Sequence, residues 1–138
     1  MTGKDPLVAR LLAHLPKAAV ASGVLELLAA HAPGDLDART LKLARLAASV
    51  MAGCPFCIDM NAAEFSVAGV TREEVAALVE GTPLPPSLDA RARAAVELAR
   101  AMSSTPVEIA SSLRAELEEV FAARELVALT TAIAQVNY

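Results

Sequence analysis

The chain has 138 residues and a formal net charge of −4, and 55% of its residues are hydrophobic although only 3% are aromatic. This acidic balance, and the lack of a basic cluster interleaved with aromatic residues, argues against a nucleic acid partner. No uncharged run exceeds 13 residues, which is too short to span a bilayer, and no signal-peptide pattern opens the sequence. We therefore predict one cytoplasmic domain over residues 1–138, with no membrane partner.

Apolar residues recur at helical spacing through the first half of the chain, and no segment alternates as a strand would. The first predicted helical segment covers about residues 5–30 and restarts at Pro16. The second covers about residues 36–52 and ends at Gly53, since glycine tolerates the left-handed conformation that follows a helix. The third carries both cysteines and runs to about Ala68.

A capping box, Thr71-x-x-Glu74, then predicts the start of a short helix that Gly81 closes. In this motif the threonine and glutamate side chains each satisfy a backbone N–H at the helix start.

The last third of the chain predicts three more helices. Ser87, at the end of a proline-rich connector, is the predicted cap of a long helix over about residues 88–103. The sequence Thr105-Pro106-x-Glu108 predicts the next start, and a final helix runs from about Ala123 to Tyr138 without a C-cap signal, as in a chain shortened at its C-terminus. Together the patterns predict an all-α, compact multi-helix bundle whose small apolar faces pack between subunits of a homo-oligomer.

Both cysteines lie in one motif, Gly53-Cys54-Pro55-Phe56-Cys57. Proline suits the first turn of a helix, so Cys54 is predicted near the N-cap and Cys57 about one turn in, where the helix dipole favours a thiolate. Two thiols at this spacing can cycle between dithiol and disulfide, which makes redox chemistry the first hypothesis. The alternative is that both are small buried hydrophobic residues.

A metal site or other cofactor is not predicted. Zinc needs about four ligands, and only His14 and His31 accompany the cysteines, at no ligand spacing.

Three polar residues near the motif are candidate auxiliary groups. Asn61 lies four residues after Cys57, on the same helical face, and can hydrogen-bond a sulfur but cannot take its proton. Glu64, seven residues after Cys57, is either a distant acid or base on that face or a solvated residue. Lys42, on the preceding helix, either lowers a thiol pKa by its charge or lies at the surface.

The run from Leu41 to Asn61, followed by the sequence Ala-Gly-Val-Thr-Arg-Glu-Glu-Val, resembles the core of the carboxymuconolactone decarboxylase superfamily, and more narrowly its alkylhydroperoxidase D-like branch. The resemblance covers about Asp37 to Gly81. It implies an all-α fold that assembles as trimers or hexamers. It also implies a thiol-dependent peroxidase or disulfide reductase, with a peroxide or disulfide substrate and a thiol electron donor.

Two positions depart from this branch. The resemblance places a histidine where this chain has Asn61, and a glutamate, twelve residues before the first cysteine, where it has Lys42. The proton relay of the branch therefore looks absent, so weak or altered activity is expected. The resemblance also makes Cys57 the attacking thiol, whereas the helix dipole favours Cys54.

Two other functions remain open from the sequence. One is a non-catalytic helical oligomer with a vestigial dithiol. The other is a lyase of the decarboxylase type acting on a small organic acid, although that reaction fits the dithiol poorly.

Overall fold

A computed structural model describes residues 10, 12–27 and 34–138. These residues form seven α-helices and one 3-10 helix, and no strand occurs among them. The α-helices are α1 Pro16–Leu25, α2 Ala38–Met51, α3 Pro55–Ala62, α4 Arg72–Glu80, α5 Ala90–Met102, α6 Ser111–Val120 and α7 Ala123–Asn137. The 3-10 helix, Phe65–Ala68, lies between α3 and α4. The all-α prediction is confirmed, while much of the predicted segment before Pro16 and its end near Ala30 lie outside the described residues.

Helices α2 and α5 pack against each other at the centre of the core. Their buried faces consist largely of alanines that are at most 2% exposed: Ala44, Ala47, Ala48, Ala92, Ala95 and Ala99. Small side chains allow two helices to approach closely. Helix α7 packs on α2 and fills the remaining core volume with larger side chains, including Leu129 and Ile133.

Two reciprocal ion pairs join the N-termini of α2 and α5. Asp37 caps α2 and accepts a hydrogen bond from Arg91 at 3.1 Å, while Asp89 caps α5 and accepts one from Arg39 at 3.1 Å. Burial raises the pKa of the Asp37 carboxyl, but hydrogen bonds from Thr40 and Arg91 outweigh it and leave that pKa below its usual value. The two central helices therefore begin side by side.

The start of α5 corrects one sequence prediction. Asp89, not Ser87, caps the helix by accepting from the Ala92 N–H at 2.8 Å. Leu88 is buried in the connector and so belongs to the core without being helical. A carboxylate that also pairs with Arg39 is the stronger cap, and that partner lies fifty residues away.

The helix that carries the cysteines is shorter than predicted. It ends at Ala62 instead of Ala68, Ala63 is extended, and Glu64 has a left-handed backbone with φ 52°. The chain then re-enters a 3-10 turn, in which Phe65 packs on the core. No glycine or proline marks the break, so local sequence preference did not predict it.

Of the other predicted helix boundaries, some are confirmed and one is wrong. Gly53 and Gly81 both adopt positive φ after their helices, and the capping box at Thr71 is present, as predicted. The helix predicted at Pro106 begins only at Ser111. Ile109 is 37% exposed and precedes the helix, whereas Leu117 within the helix is buried.

Several large apolar side chains are exposed. No residue of α1 is buried, so the apolar face predicted there, with Val20 and Val24, is uncovered by the described part of the chain. A second exposed group flanks the cysteines and comprises Met51, Phe56, Met60 and Val67. Within the described ranges, no helix is long and apolar enough to cross a membrane.

Candidate functional site

Cys54 and Cys57 are joined by a disulfide at the N-terminus of α3, with a Cα–Cα distance of 5.2 Å. Cys54 is the N-cap residue, and its Sγ accepts a hydrogen bond from the Cys57 N–H at 3.3 Å. Pro55 occupies the first helical turn, as predicted. Both cysteines are half-buried, so the pair combines a helix N-terminus with access to solvent.

The turn before α3 sets where this N-terminus points. Gly53, with φ 63°, reverses the chain after α2, and the Cys54 N–H bonds back to the Ser49 carbonyl at 3.4 Å. Helix α3 then runs back along α2, so that Asn61 reaches Arg45 and Ser49. The two helices therefore pack as an antiparallel pair.

Asn61 is the centre of a buried hydrogen-bond network. Its side chain is 5% exposed. Its Nδ2 donates to the Ser49 Oγ at 2.9 Å and to the Cys57 carbonyl at 3.0 Å, and its Oδ1 accepts from the Arg45 Nε at 3.0 Å. Asn61 therefore links the turn that carries Cys57 to α2.

The partners determine which way the Asn61 amide faces. Arg45 has only donors, so the amide oxygen must face it. The Ser49 hydroxyl donates to the Arg45 carbonyl at 2.8 Å, and its oxygen is left to accept from Nδ2. The Cys57 carbonyl can likewise only accept. Both the oxygen and the nitrogen of the Asn61 amide are thus committed, and Asn61 offers no base for a thiol proton.

The Arg45 guanidinium is 3% exposed, and all three of its nitrogens donate hydrogen bonds. Besides Asn61 it donates to Gln135 on α7 at 2.9 Å and to both carboxylate oxygens of Glu26, just after α1, at 2.9 and 3.2 Å. A buried charge is tolerated only when it is paired and hydrogen-bonded. This requirement gathers four separate elements of the chain around one side chain.

The sequence interpretation missed Arg45, Ser49, Glu26 and Gln135. Arg45 did carry a signal, since it is a lone charge between Leu43 and Leu46 on a helix otherwise apolar at those positions. Its partners carried none, because they lie 19 and 90 residues away along the chain.

Lys42 and Glu64 lie on a cavity of about 280 Å³ that Asn61 and Arg45 also line. The structure thus brings all three auxiliary candidates together, while the two cysteines are not part of the lining. The sequence predicted that Glu64 lies on the same helical face as Cys57. Instead, the left-handed break after α3 brings Glu64 to the cavity. Burial lowers the pKa of Lys42; the charge of Glu64 raises it and that of Arg45 lowers it, and the net shift is downward.

No group of three or more histidine, cysteine or acidic side chains able to hold a metal ion occurs in the described part of the chain.

Comparison with known proteins agrees with this helical dithiol architecture. Residues 16–101 match the family model of the carboxymuconolactone decarboxylase family, which covers more than half of the chain. The chain therefore belongs to that family. No curated protein matches it.

The branch within the family follows from a solved structure. The chain is 25% identical, with a TM-score of 0.77, to a protein of unknown function from Agrobacterium tumefaciens that is described as a candidate antioxidant defence protein AhpD. The similarity covers 92% of this chain and 86% of that one. Together with the family match, it places the chain in the alkylhydroperoxidase D-like branch, as the motif resemblance implied.

The network makes a specific stability prediction. Asn61→Leu preserves volume but leaves the buried Arg45 Nε without an acceptor, so we expect the free energy of unfolding to fall by about 1–3 kcal/mol in urea titrations. Asn137→Leu is the matched control, since Asn137 also donates to a serine hydroxyl, at 3.0 Å, but is exposed. We expect that control to change stability by less than about 0.5 kcal/mol. Equal losses in the two variants would contradict the role given to the buried network.

Proposed function

We propose that this protein is a thiol-dependent peroxidase or disulfide reductase whose redox centre is the Cys54–Cys57 pair. The observation that carries the proposal is the disulfide at the N-terminus of α3, with Cys54 as the capping residue. Membership of the family and similarity to a candidate AhpD protein support it. No observation favours a lyase or a vestigial dithiol over this function.

The peroxidase reaction oxidises the dithiol by two electrons. One thiolate attacks an oxygen of the peroxide, the O–O bond breaks, an alcohol leaves, and the sulfur becomes a sulfenic acid. The second thiol attacks that sulfur and releases water, which forms the disulfide. A thiol electron donor then restores the dithiol by exchange through a mixed disulfide. Reduction of a substrate disulfide proceeds through the same exchange in reverse.

Proton transfer is the weak step of this mechanism. Asn61 has no basic atom, and its amide is committed to Arg45, Ser49 and the Cys57 carbonyl. Lys42 occupies the place of the relay acid, but an ammonium is a poor base. Because general base catalysis is typically worth about 10²–10⁴-fold, we expect turnover well below that of an enzyme with a histidine and glutamate relay.

We assign the attacking role to Cys54. In the capping position its sulfur accepts a backbone N–H, and hydrogen bonding to a sulfur anion lowers the thiol pKa. Cys57, to which the family resemblance points, lies inside the helix next to a carbonyl held by Asn61. Without a base at position 61, the reason to favour Cys57 is missing.

We also propose that the protein is a homo-oligomer, a trimer or a hexamer, in the cytoplasm. The uncovered apolar face of α1 and the exposed group around Phe56 support subunit contacts. A reducing compartment would keep the dithiol ready to react.

The redox proposal is tested by stoichiometry. Reduced protein, freed of reductant under anaerobic conditions, is mixed with one equivalent of cumene hydroperoxide. We expect two thiols to be lost and one cumyl alcohol to form per protein chain, with restoration by dithiothreitol. Cys57→Ser should yield a sulfenic acid that dimedone traps, because Cys54 attacks but finds no resolving thiol.

The controls separate the alternatives. Protein with the disulfide intact should not consume peroxide, and the variant Cys54→Ser should react much more slowly than Cys57→Ser. Loss of thiols no faster than in a reduced, urea-unfolded sample would reject a built redox site. Faster reaction in Cys54→Ser would reverse the assignment of the two cysteines.

The assembly proposal has a direct measurement. Multi-angle light scattering at micromolar concentration should give three or six times the 14.3 kDa chain mass. Val24→Asp, which places a charge on the exposed face of α1, should lower the mass, whereas Glu73→Asp on α4 should not. A wild-type monomer would reject the proposal.

A further inference from the structure

The cavity beside Asn61 has an amphipathic lining. It lies between α2, the end of α3 and the 3-10 helix, and Glu26 contributes from the α1 side. Its charged lining residues are Lys42, Arg45, Glu26 and Glu64, and Asn61 is an uncharged polar residue. The other lining residues are apolar: Ala38, Leu41, Met60, Val67 and Ala68.

The two cations of this cavity differ in how they are compensated. All three nitrogens of Arg45 already donate, to Asn61, Gln135 and Glu26. Lys42 makes no hydrogen bond and no ion pair with any residue that the structure describes, although it is half-buried. Its ammonium is therefore the group in the cavity that a bound anion could satisfy.

Glu64 approaches Lys42 without pairing with it. Its charge raises the pKa of Lys42, but burial outweighs that effect, and the pKa of Lys42 lies below its usual value. The ammonium is thus less stable here than in water. Glu64 also has the one positive φ among the described non-glycine residues, 52°, and such strain clusters at functional sites.

We propose that this cavity binds a small organic carboxylate, with the carboxylate on the Lys42 ammonium and a short hydrocarbon portion against Leu41, Met60 and Val67. A carboxylate offers the negative charge and the acceptors that Lys42 lacks. A purely inorganic anion such as phosphate fits less well, because it would leave the apolar lining in contact with water.

The volume indicates how much of a ligand the cavity can bury. A cavity of about 280 Å³ falls just below the range of about 300–1,000 Å³ that is typical of drug-sized ligands. At about 30 Å³ for each water-sized group, it holds fewer than about ten heavy atoms. A carboxylic acid of about six carbons fits this limit.

The position of the cavity connects it with the cysteines. Asn61, which lines it, is seven residues from Cys54, or about 10 Å along the helix axis at about 1.5 Å per residue. The carboxylate is accordingly the anchoring end of a hydroperoxide whose O–O group extends toward the reduced Cys54 thiol. This last step rests on the proposed function, whereas binding of the carboxylate does not.

Binding is tested on the disulfide form of the full chain, which needs no turnover. Sodium hexanoate is titrated while methyl resonances of Met60 and Ala68 are followed by NMR, with 1-hexanol and hexylammonium as reference probes. We expect saturable shifts of these methyls with hexanoate, binding at least about tenfold weaker for hexanol, because it lacks the charge, and none for hexylammonium. Shifts that do not saturate, equal affinity for hexanol, or tighter binding of hexylammonium would each overturn the proposal.

Variants assign the effect to one side chain. Lys42→Gln should weaken hexanoate binding about tenfold, and Lys42→Arg should retain most of it. Lys17→Gln is the matched control, since it removes the same charge from an exposed lysine on α1. Equal weakening by Lys42→Gln and Lys17→Gln would show a general charge effect and would overturn the site.

Turnover tests the link to the dithiol separately. With a hydroperoxide that carries a carboxylate, Lys42→Gln should raise KM about tenfold, whereas the control Lys17→Gln should leave that KM unchanged. Binding of hexanoate without peroxide turnover would reject the proposed function and keep the ligand site. Peroxide turnover without hexanoate binding would reject the ligand site and keep the proposed function.

Discussion

The need to neutralise one buried guanidinium governs the arrangement of this protein around its dithiol. Arg45 is 3% exposed, in the middle of the central helix α2. Leaving one of its donors unpaired would cost the desolvation penalty of that group, about 1–3 kcal/mol. Glu26, Asn61 and Gln135 satisfy it from three other elements. The end of α1, the cysteine helix α3 and the last helix α7 are thereby held to α2 at one point.

The same network explains the chemical character of the site. Asn61 accepts a hydrogen bond from Arg45 and donates one to the Cys57 carbonyl. Position 61, which could have carried a base, therefore has a structural role. A histidine at position 61 would have to accept from Arg45 with the very nitrogen that should take a thiol proton. What remains for activating a sulfur is the N-terminus of α3, where Cys54 is the cap. In the proposed mechanism, backbone groups stabilise the thiolate and no proton relay takes part.

The sequence predicts the features that depend on neighbouring residues. Gly53, Pro55 and the Thr71 capping box act within one turn of chain, and the structure confirms all three. Features that depend on distant partners were not predictable in this way. The break after Ala62 lacks any breaker residue, Asp89 caps α5 partly through Arg39, and the partners of Arg45 are separated from it by up to 90 residues. The motif thus predicted where the cysteines lie on their helix, whereas the residues around them are brought together only by tertiary packing.

The central claim is that the helix N-terminus, and not a relay, activates Cys54. The most direct measurement is the rate of iodoacetamide alkylation against pH for the reduced variants Cys57→Ser and Cys54→Ser, each at low ionic strength. The account predicts that Cys57→Ser, which retains Cys54, reaches half of its maximal rate clearly below about pH 8.5, the ordinary thiol pKa, and below the value for Cys54→Ser. A midpoint for Cys54 at or above about 8.5, or a lower midpoint for Cys57, would contradict it.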